Sequence, residues 1–387
     1  MANSDFLPFA KPTIDEATIQ EVTDCLRSGW LATGPRVAAF EQKLKDYLGA
    51  PHVICVTSGT AALHVSLLAL GLQPGDEVIT TPMTFCATLN TIVQAGGKPV
   101  LVDVDPKTFN LDLNRVADAI TEKTRAILPV HFGGLPVDLG ALYELAGKHN
   151  LRVIEDCAHA IGAQYKGVSL GSFGDTQIFS FHPNKNMTTG EGGAIATHND
   201  ELAAWVKKLR FHGIDRDAFD RFSKEGNQHY DIVYPGFKYN MMDIQAALGL
   251  HQIQQLDDFI QRRQFLAQNY TDILKGWPEL TLPTQPNYPH RHAWHLYTPL
   301  INPAACGMDR DTFIAKMKEH NIGVGMHYEA VHLYSYYRDT YGFKRGDFPH
   351  AESISDRIVS LPLFPTMTQL DQDRVIETLL KVLRSPA

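Results

Sequence analysis

The chain has 387 residues, 44% of them hydrophobic, and carries a formal net charge of −8. A chain of this length can bury a large core and favours two domains over one. The acidic balance argues against a nucleic-acid-binding surface, and no apolar run is long enough to span a bilayer. The N-terminal segment lacks the basic start and apolar centre of a signal peptide, and the five cysteines form no CxxC pair. We therefore expect a protein of the reduced cytoplasm.

The first forty-odd residues indicate an arm followed by two amphipathic helices. Acidic residues open the first helix near Asp15, and Ser28-Gly29 ends it. The Gly34-Pro35 break opens the second helix. Trp30 and Thr33 lie on the loop between them. A tryptophan in such a loop is either a packing anchor or a ligand contact, and packing is the commoner case.

Strand-like and helix-like segments alternate from His52 to Cys157. The strand-like runs are VICVTS, DEVITTP, KPVLVDVD, RAILPV and RVIEDC. This rhythm indicates right-handed crossovers and an α/β fold with a mostly parallel central sheet flanked by helices. Ligands of such sheets bind at the carboxyl ends of the strands. The segments SGTAA, PMTF, HFGG and DCAHA, which follow four of these strands, are therefore expected to converge on one site.

The turn from Ser58 to Ala61 has the composition of an anion site. Gly59 permits a close turn, Thr60 offers a hydroxyl group, and the amides of Thr60 and Ala61 are expected to be unpaired donors at a helix start. Such donors suit a phosphate group. Ser-Gly-Thr also serves as a plain helix N-cap, so both interpretations stay open for this segment alone.

Three further residues follow strands and each has two interpretations. Asp156 ends the fifth strand, where a buried carboxylate needs a cation or a hydrogen-bond donor; a protonated pyridine nitrogen is one such partner, and capping of the next turn is the alternative. His159 either donates a hydrogen bond to a phenolic oxygen or fills polar space. Phe85 either lies flat on a heteroaromatic ring or packs in the core.

The segment FSFHPNKNMTTGEGGAI contains one lysine, Lys185, between apolar residues and a glycine-rich turn. An amine in a partly apolar pocket loses some of its preference for the charged form and becomes available for Schiff-base chemistry. Taken alone, the segment also fits a surface-loop lysine. A phosphate turn, an aromatic ring, an aspartate at a strand end and this lysine are together the parts that pyridoxal phosphate needs.

The ordered motifs TGP, TSGTAAL, EDCAHA, FSFHPNKNMTTGEGG and GFKYNMMDIQAALG resemble the DegT/StrS family over nearly the whole chain. This is a family of fold-type-I, pyridoxal-phosphate-dependent sugar-nucleotide aminotransferases. The motifs LPFAKP, RFHGIDRDAFDR, HAWHLY, GVGMHYEAVH and SLPLFP resemble its arabinose-type members. The resemblance implies pyridoxal 5′-phosphate as cofactor, glutamate as amine donor and a keto-sugar nucleotide, in particular a UDP-4-keto sugar, as acceptor. It also implies a homodimer with shared active sites and a place in amino-sugar synthesis for cell-surface polysaccharide such as lipopolysaccharide.

The resemblance implies roles for individual residues. Lys185 would form the Schiff base, Asp156 would pair with the ring nitrogen, and His159 would lie near the ring oxygen. Phe85 would stack on the ring, and the residues of the first turn would hold the phosphate with Ser180. The expected cofactor contacts are Gly59, Thr60, Ala61, Phe85, Asp156, His159, Ser180, Lys185 and Asn240.

The GFKYN segment departs from the family pattern, since many members read GFNYR. In those members the asparagine reaches the phosphate of the neighbouring subunit, and by position it aligns with Lys238 of this chain. We favour Asn240 as the residue that makes this contact here. The alternative is that both residues cap a helix at Met241 within their own subunit. The expected substrate contacts are Trp30, Thr33, Lys238, Tyr239 and His327.

The C-terminal part predicts a smaller α+β domain, which gives domains of 1–255 and 256–387. Its last segment, DRVIETLLKVL, predicts an amphipathic helix. The segment HRHAWHLYTPLI suggests a metal site, but in a strand His290 and His292 share a face while His295 points away. No metal site is therefore expected there.

Two other functions fit the same fold. A dehydratase of the family is the first, and Lys185 argues against it because those enzymes typically have histidine at that position. A non-catalytic regulator that binds the cofactor is the second, since membership of a fold family does not by itself give activity.

Overall fold

The computed structural model describes residues 6–215 and 230–384. Residues 216–221, which end the RFHGIDRDAFDR motif, lie outside these ranges. The helices are α1 (Glu16–Ser28), α2 (Pro35–Leu48), α3 (Gly59–Leu68), α4 (Ala87–Gln94), α5 (Leu113–Ala119), α6 (Leu139–Lys148), α7 (Asp200–Leu209), α8 (Asp243–Leu274), α9 (Pro303–Cys306), α10 (Arg310–Glu319), α11 (Ser335–Tyr341), α12 (Pro349–Ser355) and α13 (Gln369–Arg384). The strands are β1 (His52–Val56), β2 (Glu77–Thr80), β3 (Lys98–Leu101), β4 (Thr124–Ile127), β5 (Arg152–Asp156), β6 (Gln164–Tyr165), β7 (Val168–Ser169), β8 (Thr176–Ser180), β9 (Gly193–Thr197), β10 (Leu280–Thr281), β11 (His290–Arg291) and β12 (Leu300–Ile301).

The first helix begins and ends where the sequence predicts. Asp15 is its N-cap, and its side chain accepts a hydrogen bond from the Thr18 amide at 2.8 Å. Gly29 ends the helix with φ of 72°, a left-handed conformation that glycine adopts without the penalty of a Cβ atom. The predicted C-terminal helix is also present, as α13.

A seven-stranded sheet forms the centre of the molecule, with strand order β1-β9-β8-β5-β4-β2-β3. The pairs from β8 to β3 are parallel, whereas β9 is antiparallel to both of its neighbours. The predicted α/β fold with a mostly parallel sheet is confirmed. The sheet is covered by helices such as α3, in which eight of ten residues are buried, and strands such as β8 and β9 are buried along their whole length.

The long helix α8 connects two separate hydrophobic cores. Its first part contributes Leu250 and Leu256 to the core beneath the central sheet. Its second part contributes Leu266 and Tyr270 to a core formed mainly by the C-terminal residues. The expected domain border at Leu256 lies inside this continuous helix, and the division into 1–255 and 256–387 stays a prediction.

The segment HRHAWHLYTPLI does not form the single strand that was expected. It contains the short strands β11 and β12, with irregular backbone between them. Trp294 in that interval has φ of 47°, which a regular strand cannot accommodate. Across the ranges that the structure covers, no helix is both long and apolar enough to cross a membrane.

Candidate active site

A cavity of about 630 Å³ lies at the carboxyl ends of the central strands. The loops after β1, β2 and β5 converge on it, as the sequence predicts. The HFGG segment after β4 was also expected at this site, but it does not line the cavity. It lies behind His159, and its Gly133 amide donates to Nδ1 of that ring. The lining residues are Thr57, Ser58, Gly59, Thr60, Leu63, Thr84, Phe85, Ala87, Thr88, Val130, Asp156, Ala158, His159, Ser180, His182, Asn184, Lys185, Glu191, His327 and Tyr328.

Lys185 reaches this cavity from the loop between β8 and β9. Its amide donates to the His182 carbonyl at 2.9 Å, and the next residue, Asn186, donates its side-chain amide to the Ala293 carbonyl at 2.7 Å. Burial lowers the pKa of Lys185 to about 8, although the Asp156 carboxylate acts to raise it. The amine is therefore far more available as a nucleophile than that of a surface lysine.

Asp156 is 5% exposed and is held by two donors. Thr88 Oγ1 donates to Asp156 Oδ2 at 2.9 Å, and the Ala158 amide donates to Asp156 Oδ1 at 3.1 Å. Burial raises the pKa of Asp156, and these two donors together with Lys185 partly offset that rise. The side chain thus caps the following turn and also lines the cavity, so the two interpretations of this residue do not exclude each other.

His159 has a defined hydrogen-bonding arrangement. The Gly133 amide donates to its Nδ1 at 3.3 Å, so Nε2 is the protonated nitrogen and donates to the Tyr328 hydroxyl at 2.9 Å. Burial, with smaller contributions from Lys185 and His327, holds the pKa of His159 well below its usual value. His159 is therefore a neutral donor directed at a phenolic oxygen that belongs to the protein.

Two residues near the cavity were missed by sequence reasoning. Tyr328 lines it and stacks on His159, with 5.9 Å between centroids and 19° between planes. Its neighbour His327 had been singled out in the GVGMHYEAVH motif, and the same motif could have indicated the tyrosine. His295 lies behind His159 with 4.5 Å between ring centroids, a placement that strand alternation could not reveal because the segment is not a strand.

The phosphate turn is only partly as expected. Ser58 is the N-cap of α3, and its hydroxyl accepts the Ala61 amide at 3.0 Å, so the prediction that this amide is unpaired is wrong. Ala61 is also not among the lining residues, whereas Gly59, Thr60 and Ser180 are. A Cβ at Gly59 would lie 3.0 Å from that of Ser180. The first turn of α3 therefore lies close to the side chain of Ser180, and the polar groups of both suit an anion.

Phe85 and His327 occupy the rim and wall of the cavity. Phe85 is 58% exposed, so its alternative interpretation as a core residue is wrong, and its ring lies 6.0 Å from that of Tyr328. His327 is buried, and its Nδ1 is 2.8 Å from Ser360 Oγ. Burial lowers the pKa of His327 to about 4, which makes it a neutral group beside Lys185.

Four of the remaining predicted residues do not line this cavity but lie together elsewhere in the chain's own structure, namely Trp30, Thr33, Lys238 and Asn240. Lys238 Nζ donates to Asn240 Oδ1 at 2.8 Å, and Asn240 Nδ2 donates to Thr33 Oγ1. Thr33 Oγ1 donates to the Met241 carbonyl at 2.6 Å, and the Trp30 indole donates to the Thr33 carbonyl at 3.2 Å. These side chains form one polar chain between the two segments.

The alternative interpretation, in which Lys238 and Asn240 cap a helix at Met241, is wrong. Helix α8 begins at Asp243, and the Met242 amide donates to Gln245 Oε1 at 3.0 Å. Tyr239 points elsewhere, with its hydroxyl 3.2 Å from His64 Nδ1. The cross-subunit role of Asn240 stays a prediction.

The three histidines of the HRHAWHLY segment do not meet. His290 contacts Gln285 at 2.6 Å, and His292 stacks on Trp294 at 4.0 Å between centroids, while His295 lies against His159. Within the parts of the chain that are described, the one cluster with metal-ligand chemistry consists of His131, Glu155 and Cys157.

That cluster is a closed hydrogen-bond network. His131 Nε2 lies 2.9 Å from Glu155 Oε2, and the Val137 amide donates to His131 Nδ1 at 3.0 Å. Glu155 Oε1 accepts from the Tyr143 hydroxyl at 2.6 Å. Both ring nitrogens and both carboxylate oxygens therefore have partners, and the network needs no ion.

The DegT/DnrJ/EryC1/StrS aminotransferase family matches residues 12–380 of the chain. The chain belongs to this family.

Relatives of this aminotransferase cover almost its whole length. It is 44% identical over 384 residues to the UDP-4-amino-4-deoxy-L-arabinose–oxoglutarate aminotransferase of Shewanella sediminis, covering 98% of this chain and 99% of that one. It is 43% identical over 383 residues to the spore coat polysaccharide biosynthesis protein SpsC of Bacillus subtilis, covering 98% and 97%. A solved structure, the pyridoxal-phosphate form of a sugar aminotransferase from Streptococcus pneumoniae, matches with a TM-score of 0.90 and 33% identity over 97% of this chain and 98% of that one. The predicted family, its fold type and its enzymatic character are confirmed.

The cofactor of this aminotransferase is pyridoxal phosphate, and the cavity fits it. Lys185 has an amine with a pKa of about 8 that would bind the aldehyde, and Asp156 has a buried carboxylate that would pair with the ring nitrogen. The start of α3, facing Ser180, has amide and hydroxyl donors that would hold the phosphate. These three features lie on one cavity of about 630 Å³, which is large enough for the cofactor and part of a second molecule.

Proposed function

We propose that this enzyme transfers an amino group from glutamate to the keto group of a UDP-4-keto sugar. The proposed setting is the cytoplasm, in the synthesis of an amino sugar for cell-surface polysaccharide such as lipopolysaccharide. The observation that carries the proposal is Lys185, whose amine lines the cavity with a pKa lowered to about 8 beside Asp156. The names of the Shewanella and Bacillus relatives support the acceptor class and the polysaccharide setting.

Pyridoxal phosphate, when bound, supplies an aldehyde that condenses with amines and a ring that accepts the electron pair of a neighbouring carbon. Lys185 performs two tasks around it. As a neutral amine it would condense with the aldehyde, releasing water, and the donor amine would later displace it. Once free, Lys185 Nζ removes the proton from the α-carbon of the donor and returns it on the other side of the transfer. A pKa of about 8 suits both tasks, because the amine exchanges protons readily near neutral pH.

Asp156 would keep the ring nitrogen protonated during this transfer. An ionised carboxylate stabilises a cation at hydrogen-bond distance, and a protonated ring withdraws electrons better than a neutral one. The Thr88 hydroxyl and the Ala158 amide stabilise the ionised form of Asp156 against burial. The two donors therefore serve the reaction as well as the fold.

His159 and Tyr328 hold the side of the cavity next to Asp156. His159 donates from Nε2 to the tyrosine hydroxyl, which leaves the hydroxyl proton free to be donated to an oxygen of the bound cofactor. Burial raises the pKa of Tyr328, so this proton stays in place at neutral pH. Phe85, which is exposed at the rim, is the side chain that can cover the ring and exclude water.

In this proposal Asn240, or Lys238 beside it, completes the phosphate site of a second subunit, and the substrate contacts are Trp30, Thr33, Lys238, Tyr239 and His327. Asn240 is 7% exposed and belongs to the polar chain that joins Lys238 to Thr33. None of Thr33, Lys238 and Asn240 lines the cavity of its own chain, as expected of a contact to a partner's phosphate. Each active site of the homodimer then contains residues from two chains.

Subunit complementation tests the dimer. Lys185→Ala and Asn240→Ala proteins are each inactive in this proposal, and their mixture regains activity because one site of each heterodimer collects neither lesion. Recovery approaches about a quarter of the wild-type value per subunit after statistical exchange. Lys238→Ala serves as the second partner variant. Absence of recovery after subunit exchange has been verified would place Asn240 in the structure of its own subunit.

Amine transfer to a panel of UDP- and dTDP-linked keto sugars tests the substrate class. Glutamate alone should shift the visible absorbance of the holoenzyme, since the first half-reaction needs no sugar. Mass spectrometry should then find the amino sugar with a UDP-4-keto sugar, together with 2-oxoglutarate. Lys185→Ala is the control. Transfer to dTDP sugars alone would contradict the nucleotide assignment, and an absorbance that glutamate leaves unchanged would contradict the donor.

A further inference from the structure

His295 is a buried histidine to which the proposed reaction gives no role. Its side chain is 3% exposed, and it does not line the cavity. Its ring contacts that of His159, with 4.5 Å between centroids and 44° between planes. Among the residues that the structure describes, neither nitrogen of this ring has a hydrogen-bond partner.

The backbone that carries His295 is attached to the loop behind His159. The Ala293 amide donates to the Gly134 carbonyl at 2.9 Å, and the Leu296 amide donates to the Gly133 carbonyl at 3.2 Å. A side chain at Gly134 would come within 2.9 Å of the His159 carbonyl and 3.1 Å of Ala293 Cβ. The two segments are therefore in close backbone contact.

The same glycine pair fixes the hydrogen bonding of His159. The Gly133 amide occupies Nδ1, which leaves the Nε2 proton for Tyr328. The ring of His159 thus has Tyr328 on one side, at 5.9 Å between centroids, and His295 on another, at 4.5 Å. Asn186, adjacent to Lys185, is bonded to the Ala293 carbonyl, so this segment also supports the lysine loop.

The surroundings of His295 all favour its neutral form. Burial holds the pKa of His295 well below its usual value, and the nearby groups His159, Lys185, Arg263 and His327 act in the same direction. Arg263 Nη1 donates to the His295 carbonyl at 3.3 Å. A neutral ring in this position adds no positive charge next to His159.

We propose that His295 is a positioning residue for His159. The uncharged ring of His295 excludes water from the back of the His159 ring and holds His159 as a hydrogen-bond donor to Tyr328. This role rests on the place of His159 in the proposed active site. It requires the bulk and shape of the His295 ring and not its nitrogens, which have no partner in the described chain. Replacement by a ring without nitrogens should therefore preserve the positioning of His159, whereas removal of the ring should weaken it.

Nitrogen-15 NMR of histidine-labelled protein without cofactor tests this role. In the wild type, His159 should remain neutral and protonated on Nε2 as the pH falls below the ordinary histidine pKa of about 6.5. In His295→Ala, water enters the space behind the ring, the burial that depresses its pKa is relieved, and the proton affinity of His159 should rise at least about tenfold. His295→Phe should match the wild type. His290→Ala, in the same segment but without contact to His159, is the matched control.

Kinetics provide the second measurement. His295→Ala should lower kcat by about tenfold or more, with a smaller change in KM for the amine donor, and His295→Phe should restore it. An unchanged His159 signal in the alanine variant would overturn the proposal. So would a phenylalanine variant as impaired as the alanine variant, because the nitrogens would then be the acting groups. If the alanine variant does not fold, the phenylalanine spectrum decides alone. The NMR experiment needs no substrate, so its failure is distinct from failure of the proposed reaction.

Discussion

The electrostatic coupling between Lys185 and Asp156 predicts that Asp156→Asn makes cofactor capture faster and turnover slower. With a pKa of about 8, about 9% of the lysine is neutral at pH 7, against about 0.03% for a lysine at 10.5. The carboxylate is the group that raises the pKa of Lys185. Asp156→Asn should therefore lower the pKa of Lys185 below 8. A fall of about one unit, on the scale expected for a nearby opposite charge, would make about half of the amine neutral at pH 7.

The rate of cofactor capture by the apoprotein measures this change. Only the neutral amine attacks the aldehyde, so the rate rises with pH through the pKa of Lys185 and levels off above it. The wild-type midpoint should lie near pH 8. Asp156→Asn should shift it to lower pH and increase the rate at pH 7 by about fivefold. Thr88→Val, which removes one of the two donors to Asp156 but keeps the carboxyl group, should shift the midpoint less than Asp156→Asn does.

Turnover of the same variant should fall although capture is faster. Asparagine cannot stabilise a protonated ring nitrogen, and loss of a charge-assisted hydrogen bond of about 1.5–3 kcal/mol slows the reaction by about ten- to a hundredfold. Stopped-flow absorbance gives capture, and amine transfer gives turnover. A midpoint that stays at pH 8 or moves up, or turnover close to the wild-type value, would refute the coupling.

Three other substitutions test the site and its support. Lys185→Ala should abolish transfer with an unchanged melting curve, and borohydride reduction of the wild-type holoenzyme should label the peptide of Lys185; labelling of the exposed Lys166 would contradict the assignment. Gly59→Ala places a Cβ 3.0 Å from that of Ser180, so affinity for pyridoxal phosphate should fall about tenfold while affinity for unphosphorylated pyridoxal is retained, as equilibrium titration would show. Gly193→Ala places a Cβ 2.5 Å from the backbone before α3, and calorimetry should show a loss of about 2 kcal/mol or more; an unchanged melting temperature would count against the close approach.

The cavity residues that could be predicted share a local signal. Gly59 and Thr60 follow a strand and open a helix, Asp156 ends a strand, and Lys185 lies in a glycine-flanked turn. Each is defined by a few neighbouring residues, so the sequence is sufficient to suggest them. Ala61 shows the limit of this reasoning, because the sequence cannot show whether its amide is bonded by the cap or left for a ligand.

Features that depend on distant segments could not be predicted. Tyr328 and His295 reach the cavity region from the C-terminal part of the chain, and the direction of His295 depends on the positive φ of Trp294. The position of β9 between β1 and β8 is a similar case. A rhythm of strands and helices gives the parallel crossovers, but it does not show which later strand is inserted in reverse.

Burial acts in opposite directions on the two groups that matter most in this site, and their surroundings differ accordingly. The reaction needs Lys185 neutral, and burial favours that form, so a low-dielectric position is sufficient to bring its pKa to about 8. It needs Asp156 ionised, and burial opposes that form. The aspartate therefore requires donors from elsewhere, which Thr88 and the Ala158 amide supply at 2.9 and 3.1 Å. Those two hydrogen bonds oppose the effect of burial on Asp156, so that one cavity can combine a lysine of lowered pKa with a carboxylate stabilised in its ionised form.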